Sequence, residues 1–210
     1  MEIFIVRHAE SQLPGEEIDN GLTEIGKFQA YKTGIFLSNY QFDQIYSSPS
    51  LRTVQTAKII ADHINYDADK IIYDNRLVSR GKGILNGKSI AEVVQIINKF
   101  HYSQINDLKS FIKYENVKCK YTNEEPIEEL MDRAVNFMQS IINGRHKRVL
   151  LIGHGVWIIN LLRRLFSTYE VSLINLLPRS TECYIVKIAH DLNYKLVTPP
   201  NNAHLLKDYS

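Results

Sequence analysis

The 210 residues carry 25 lysines and arginines against 23 acidic side chains, a formal charge of +2 that gives no general case for a nucleic-acid partner. The 44% hydrophobic content supplies a real core, and the length suits one α/β domain over 1–210 that buries about 70% of its unfolded surface. Cys119 and Cys183 show no CxxC or Cys/His ligand spacing, which argues against a disulfide framework or a zinc site and for free thiols in a reducing compartment. Met1-Glu2 runs straight into the first strand, and no stretch reaches the roughly 18 apolar residues of a membrane span, so the chain reads as cytoplasmic with no membrane partner.

Ile3 to Val6 is apolar throughout, as expected of a strand covered on both faces. A polar loop with Pro14, Gly15 and Gly21 follows, and then Thr23 as N-cap of a helix through Ala30, Ile35, Phe36 and Leu37, weakened by Gly26 and Gly34. Phe42 to Tyr46 is a second short strand. Pro49 stands where a helix can begin, with Leu51, Val54, Ala57, Ile60 and Ala61 as its apolar stripe. Ile71 to Tyr73 reads as a third strand and Ile90 to Ile97 as a helix.

The stretch from His101 to Tyr121 breaks the rhythm: it is aromatic and lysine-rich without a steady period. An insertion over about 88–124 is expected to hold a helix and fold over the ligand crevice as a lid. Lys109, Lys113, Lys118 and Lys120 would then reach a distal anionic group, or else lie as a solvated surface with snorkelling stems. Pro126 opens a helix through Ile127, Leu130, Ala134, Phe137 and Ile141. Arg148 to Ile152 is a strong strand, Trp157 to Phe166 an apolar helix, and Cys183 to Ile188 and Leu196 to Thr198 are final strands. The alternation predicts an α/β fold, a three-layer α/β/α sandwich around a mostly parallel mixed sheet.

Three strand ends carry the chemistry. Ile3 to Val6 runs into Arg7-His8-Ala9-Glu10, Val149 to Ile152 into Gly153-His154-Gly155, and Ile45-Tyr46 into Ser47-Ser48-Pro49-Ser50-Leu51-Arg52. Carboxyl ends of parallel strands line the usual ligand crevice of an open α/β sheet. Two arginines and two histidines meeting there make an oxyanion site. Metal binding fits poorly, because neither histidine belongs to an Asp/His ligand motif and the neighbouring arginines repel a cation.

With Gly21-Leu22-Thr23, Gln29-Ala30, the run Tyr46 to Ala57, Arg76-Leu77 with Gly83 and Gly87, and Glu128 to Arg133, these pieces resemble the first branch of the histidine phosphatase superfamily, the phosphoglycerate-mutase-like fold. The resemblance covers nearly the whole chain apart from the expected lid. It implies that His8 takes a phosphoryl group as a covalent phosphohistidine while Arg7, Arg52 and His154 surround the oxyanion, with no cofactor. It also implies that Thr23 lies near the phosphate, in addition to capping its helix. Asn20 and Arg80 are candidate rim contacts, and Gln55 could simply face solvent.

Two positions depart from the pattern. The glutamate that relatives use as general acid falls on Ser79, and Gly155 stands where the other branch carries an aspartate. Glu10 is the first substitute as proton donor, ahead of Asp19 and Glu92, because its loop begins at the nucleophile. Ala9 replaces a usual glycine and is expected to keep an ordinary negative φ. The resemblance therefore implies a metal-independent phosphatase acting on a small phosphorylated substrate. A mutase-type phosphoryl transfer and a nearly inactive phosphate-binding protein are the alternatives.

Overall fold

The computed structural model describes residues 1–11, 21–97, 118–166, 181, 183–188 and 194–201. Strands β1 (Glu2–Arg7), β2 (Gln44–Ser47), β3 (Ile72–Tyr73), β4 (Arg148–Gly153), β5 (Cys183–Ile188) and β6 (Tyr194–Asn201) form one sheet in the order β3-β2-β4-β1-β5-β6. The first four are mutually parallel, β5 runs antiparallel to β1, and β6 antiparallel to β5. The helices are α1 (Glu24–Leu37), α2 (Leu51–His63), α3 (Ile90–Ile97), α4 (Ile127–Ile142) and α5 (Gly155–Phe166).

Alternation along the strands sorts the core into two layers, since successive side chains point to opposite faces. Ile3 and Ile5 of β1 and Val149 and Leu151 of β4 pack against Leu130, Ala134, Phe137 and Met138 of α4 and Trp157, Ile158 and Leu161 of α5. Phe4, Val6, Leu150 and Ile152 face the other way, onto Leu37 of α1 and Ala57, Ile60 and Ala61 of α2. The result is the expected three-layer α/β/α sandwich. The central strands lie between two helical layers, which is why they read as unbroken apolar runs.

The face by which α1 packs differs from its apolar pattern. Ile25, Phe28, Tyr31 and Ile35 are exposed, and the buried residues are Gly26, Ala30, Thr33, Gly34 and Leu37. Close approach explains the choice of small residues. A Cβ on Gly26 would stand 1.9 Å from the Glu10 carbonyl oxygen, and one on Gly34 would stand 2.7 Å from His63 Cβ on α2. The glycines that look like weaknesses in a helix are what let it meet its neighbours. In α2, Leu51 is likewise exposed, while Thr53 and Thr56 join Ala57, Ile60 and Ala61 inside. β3 is a two-residue edge strand with both side chains exposed, shorter than the expected 71–73 run.

The helix 90–97 forms as expected. Much of the expected lid, including Lys109 and Lys113, lies outside the described residues, as does the chain from 12 to 20 with Asn20 and Asp19. Residues 118–122 are helical, and the buried Lys118 ammonium forms an ion pair with Glu124, 3.3 Å from its Oε2. Cys119 is a buried free thiol.

Gly26→Ala tests the close approach. Intrinsic helix propensity favours alanine by about 1 kcal/mol, whereas overpacking against the Glu10 backbone opposes it by about 3 kcal/mol. Urea unfolding should show a net loss for G26A; a variant as stable as the parent would contradict the packing.

Candidate functional site

The register of the sheet assembles the site. Arg7 pairs with Gly153 and Ser47 with Ile152, so β1, β4 and β2 end at one level and the residues that follow, His8, His154 and Ser48, lie side by side. Backbone bonds extend the ladder past the strand ends: His8 N–H donates to the Gly153 carbonyl (2.9 Å) and Ser48 N–H to that of Ile152 (3.1 Å). On the far side of β1 the Thr181 N–H donates to the Arg7 carbonyl (3.1 Å). Both histidines are buried, with ring centroids 5.3 Å apart.

Hydrogen bonds fix the tautomer of each ring. His8 Nδ1 lies 2.7 Å from the Ala9 carbonyl oxygen. A carbonyl only accepts, so Nδ1 carries a proton, and in the neutral ring this tautomer leaves the lone pair on Nε2, the state required of an imidazole nucleophile. In His154, Nδ1 faces Arg52 Nη2 at 3.3 Å and Nε2 faces Ser48 Oγ at 2.9 Å. A guanidinium only donates, so Nδ1 is the acceptor and Nε2–H donates to Ser48. Burial, reinforced by Arg52, His8, Arg7 and Arg133, holds the His154 imidazole well below its ordinary range, and the ring is neutral.

Polar groups behind the two histidines hold the loops. Ala9 N–H donates to Thr56 Oγ1 (3.0 Å), whose hydroxyl donates to the Arg52 carbonyl (2.7 Å), tying the loop after His8 to the first turns of α2. Ala9 is buried and keeps a negative φ, as its side chain requires. Thr23 caps α1 by accepting from Gly26 N–H (2.9 Å) and donates its hydroxyl to Glu10 Oε1 (2.8 Å), while Glu10 N–H donates to Gln29 Oε1 (2.9 Å). Gln55 is half-buried instead of solvent-facing: its Oε1 accepts from Leu22 N–H at 2.7 Å and fills the space where a Cβ on Gly21, at φ +72, would fall.

The predicted residues therefore divide. Arg52, His8 and His154 come together, with Arg7 at the end of β1 close enough to act on the His154 charge state. Glu10 and Thr23 form a pair beside them. Arg80, the candidate rim cation, donates to the Glu125 carbonyl (2.7 Å) and Cys119 Sγ (2.9 Å) and lies 3.7 Å from Glu124. Ser79 is half-buried, on a loop pinned by Arg133, whose Nη1 donates to the carbonyls of Arg76 (2.8 Å) and Val78 (2.9 Å) while Nε and Nη2 grip Glu125.

Two contributors escaped the sequence reading. Ser48 was read only as part of the turn and matching run around Pro49, with no role of its own, and nothing in its spacing reveals a hydrogen bond to a histidine 106 positions away. Arg133 offered a usable signal in Glu125, eight residues upstream on the helix approach.

The profile of the histidine phosphatase superfamily (branch 1) matches residues 3–198. The chain belongs to this superfamily. Among curated proteins, this histidine phosphatase superfamily chain is 40% identical over 104 residues to fructose-2,6-bisphosphatase TIGAR of Xenopus tropicalis, a match covering 46% of the chain and 38% of that relative's length. It is also 25% identical over 158 residues to a putative phosphoserine phosphatase 2 of Hydrogenobacter thermophilus, covering 73% of the chain and 72% of the relative. Among solved structures, phosphoglycerate mutase from Bacillus anthracis superposes with a TM-score of 0.82 at 19% identity, over 99% of this chain and 96% of the other, a likeness of fold.

The neutral His154 makes stability pH-dependent with a defined sign. In the unfolded chain an imidazole protonates near pH 6.5, whereas the folded His154 resists protonation, so the unfolded state gains protons first as pH falls. Its contribution is present above about pH 6.5 and is lost as pH drops toward the folded value. Thermal melts from pH 7.5 to 5 should show a steeper loss in the wild type than in His154→Asn; parallel slopes would contradict a buried neutral ring.

Proposed function

We propose that the protein is a phosphoric monoester hydrolase that passes the phosphoryl group of a small phosphorylated substrate through His8. The observation that carries this reading is the bond from His8 Nδ1 to the Ala9 carbonyl, which leaves Nε2 as an unprotonated nucleophile at a strand end shared with His154. The phosphate binds between Arg7, Arg52 and His154, His8 Nε2 attacks phosphorus, and water later hydrolyses the phosphohistidine. Arg7 and Arg52 neutralise the equatorial oxygens, where charge-assisted hydrogen bonds strengthen as the transfer proceeds. The same two cations supply the charge stabilisation that a metal ion gives other phosphoryl-transfer sites.

The names of the relatives point to sugar phosphates and phosphorylated amino acids as the substrate class. Both hydrolysis and mutase action need a proton donor in the shared first step, where Ser79 offers no carboxylate; mutase action further requires that the intermediate be retained until the phosphoryl group returns to it, so hydrolysis is the simpler reading. A reducing, cytoplasmic setting suits the free thiol of Cys119. No helix among the described residues is long and apolar enough to cross a membrane.

His8→Ala should abolish phosphoenzyme formation and turnover of p-nitrophenyl phosphate while the folded state persists; near-normal turnover would remove the mechanism. Arg7→Ala and Arg52→Ala should each weaken vanadate binding by about tenfold or more, with nonadditive effects because they share one ligand. Calorimetry showing unchanged affinity in both would reject the pocket.

A further inference from the structure

Hydrolysis of an unactivated ester leaves one proton unassigned. A departing alkoxide needs a donor, and such help is worth about 10²–10⁴-fold. Position 79 is a serine, and Oε1 of Glu10 is engaged by the Thr23 hydroxyl in the cap of α1. His154 lies beside the nucleophile, with its nitrogens held by unlike partners. Nε2–H donates to Ser48 Oγ, and the Ser48 hydroxyl goes on to Ser50 Oγ at 3.3 Å while accepting from Ser50 N–H at 3.4 Å. Nδ1 keeps its lone pair on the side of Arg52, a residue the incoming phosphate would draw onto its own oxygens.

Ser48 thus does what the buried carboxylate does in a Ser-His-Asp triad: it fixes the ring and keeps one N–H occupied so that the other nitrogen faces the reaction. It brings no charge, however. The charged and titratable groups bearing on His154 are Arg52 from α2, His8 and Arg7 from the end of β1, and Arg133 from α4. Against these arginines a neutral partner leaves the ring unprotonated until an anion enters the pocket and reverses the local field.

Building on the phosphohistidine reading of this pocket, we propose that His154 hands the proton to the leaving group, that the substrate brings this proton in as its monoanion, and that Ser48 is the positioning residue for the transfer. The P–OH proton of the bound monoanion passes to His154 Nδ1, giving an imidazolium beside a phosphate dianion. The His8 Nε2 lone pair forms the N–P bond, the P–OR electron pair leaves with oxygen, and that oxygen takes the Nδ1 proton to depart as ROH. His154, neutral again, then removes a proton from the water that attacks phosphorus; the N–P bond breaks and its electrons return to Nε2. Phosphate and the proton on His154 leave together as the monoanion.

The test follows the phosphorylation step by rapid quench, using glycerol 2-phosphate and aryl phosphates of rising leaving-group basicity. Ser48→Ala should slow phosphorylation about 100-fold for the most basic leaving groups and less than about tenfold for p-nitrophenyl phosphate, with Ser48→Thr restoring most of the loss. In the wild type, which needs no variant to fold, the rate with basic leaving groups should fall about tenfold per pH unit above pH ~6, where the monoanion is depleted. Equal losses across the series in S48A, a flat wild-type profile from pH 6 to 8, or a leaving-group-selective defect in Glu10→Gln but not in S48A would each overturn the proposal. Wild type forming no phosphohistidine with any ester would instead sink the underlying reading of the pocket, and this proposal with it.

Discussion

A slip of one residue between β1 and β4 would send every side chain of one strand to the opposite face. The register that pairs Arg7 with Gly153 is therefore the constraint on which the rest of the molecule depends. It is enforced from both sides. Ile3 and Ile5 are committed to the layer of α4 and α5, and Phe4 and Val6 to that of α1 and α2, so neither set could be turned to the other without burying the wrong shapes. Two histidines distant in sequence are thus placed by the hydrophobic core, and the hydrogen bonds at the strand ends only complete the placement.

The core also sets the electrostatics of the site. His154 is buried next to arginines, an environment that disfavours a second positive charge, and its hydrogen bonds to Arg52 and Ser48 are those of a neutral ring. His8 is held in the complementary tautomer by the carbonyl of the next residue. The neutral rings therefore carry their lone pairs on Nε2 and Nδ1 respectively, fixed in one by the Ala9 carbonyl, which can only accept, and in the other by the Arg52 guanidinium, which can only donate. Such preorganisation costs no rearrangement at the moment of reaction.

Most of this was legible in the sequence, for physical reasons. The central strands were readable because double burial demands continuous apolar runs, as in Ile3 to Val6 and Val149 to Ile152. The Thr23 cap and the helix after Pro126 were readable because cap chemistry is local. What escaped depends on close approach in space. The buried face of α1 sets Gly26, Thr33 and Gly34 beside Ala30 and Leu37, and hydrophobic periodicity does not count the glycines or the threonine, so Ile35 looked like core and is exposed. Gln55 looked solvated because nothing within α2 shows that its amide meets Leu22 N–H, and the bonds from Arg80 to Glu125 and Cys119 were invisible because those partners lie some forty positions away in sequence. Within the site, the residues with distinctive chemistry stood out, whereas the serine that orients His154 did not.

The central claim is that the sheet presents Nε2 of His8 as the nucleophile. The most direct measurement is to trap the phosphoenzyme from p-nitrophenyl phosphate with an acid-free quench, map the modified residue by mass spectrometry, and assign the phosphorus-bearing nitrogen by NMR. The tautomer fixed by the Ala9 carbonyl predicts a single phosphoryl group on His8 Nε2. Phosphorus on His8 Nδ1 or on His154, or continued turnover with no phosphohistidine, would contradict the account.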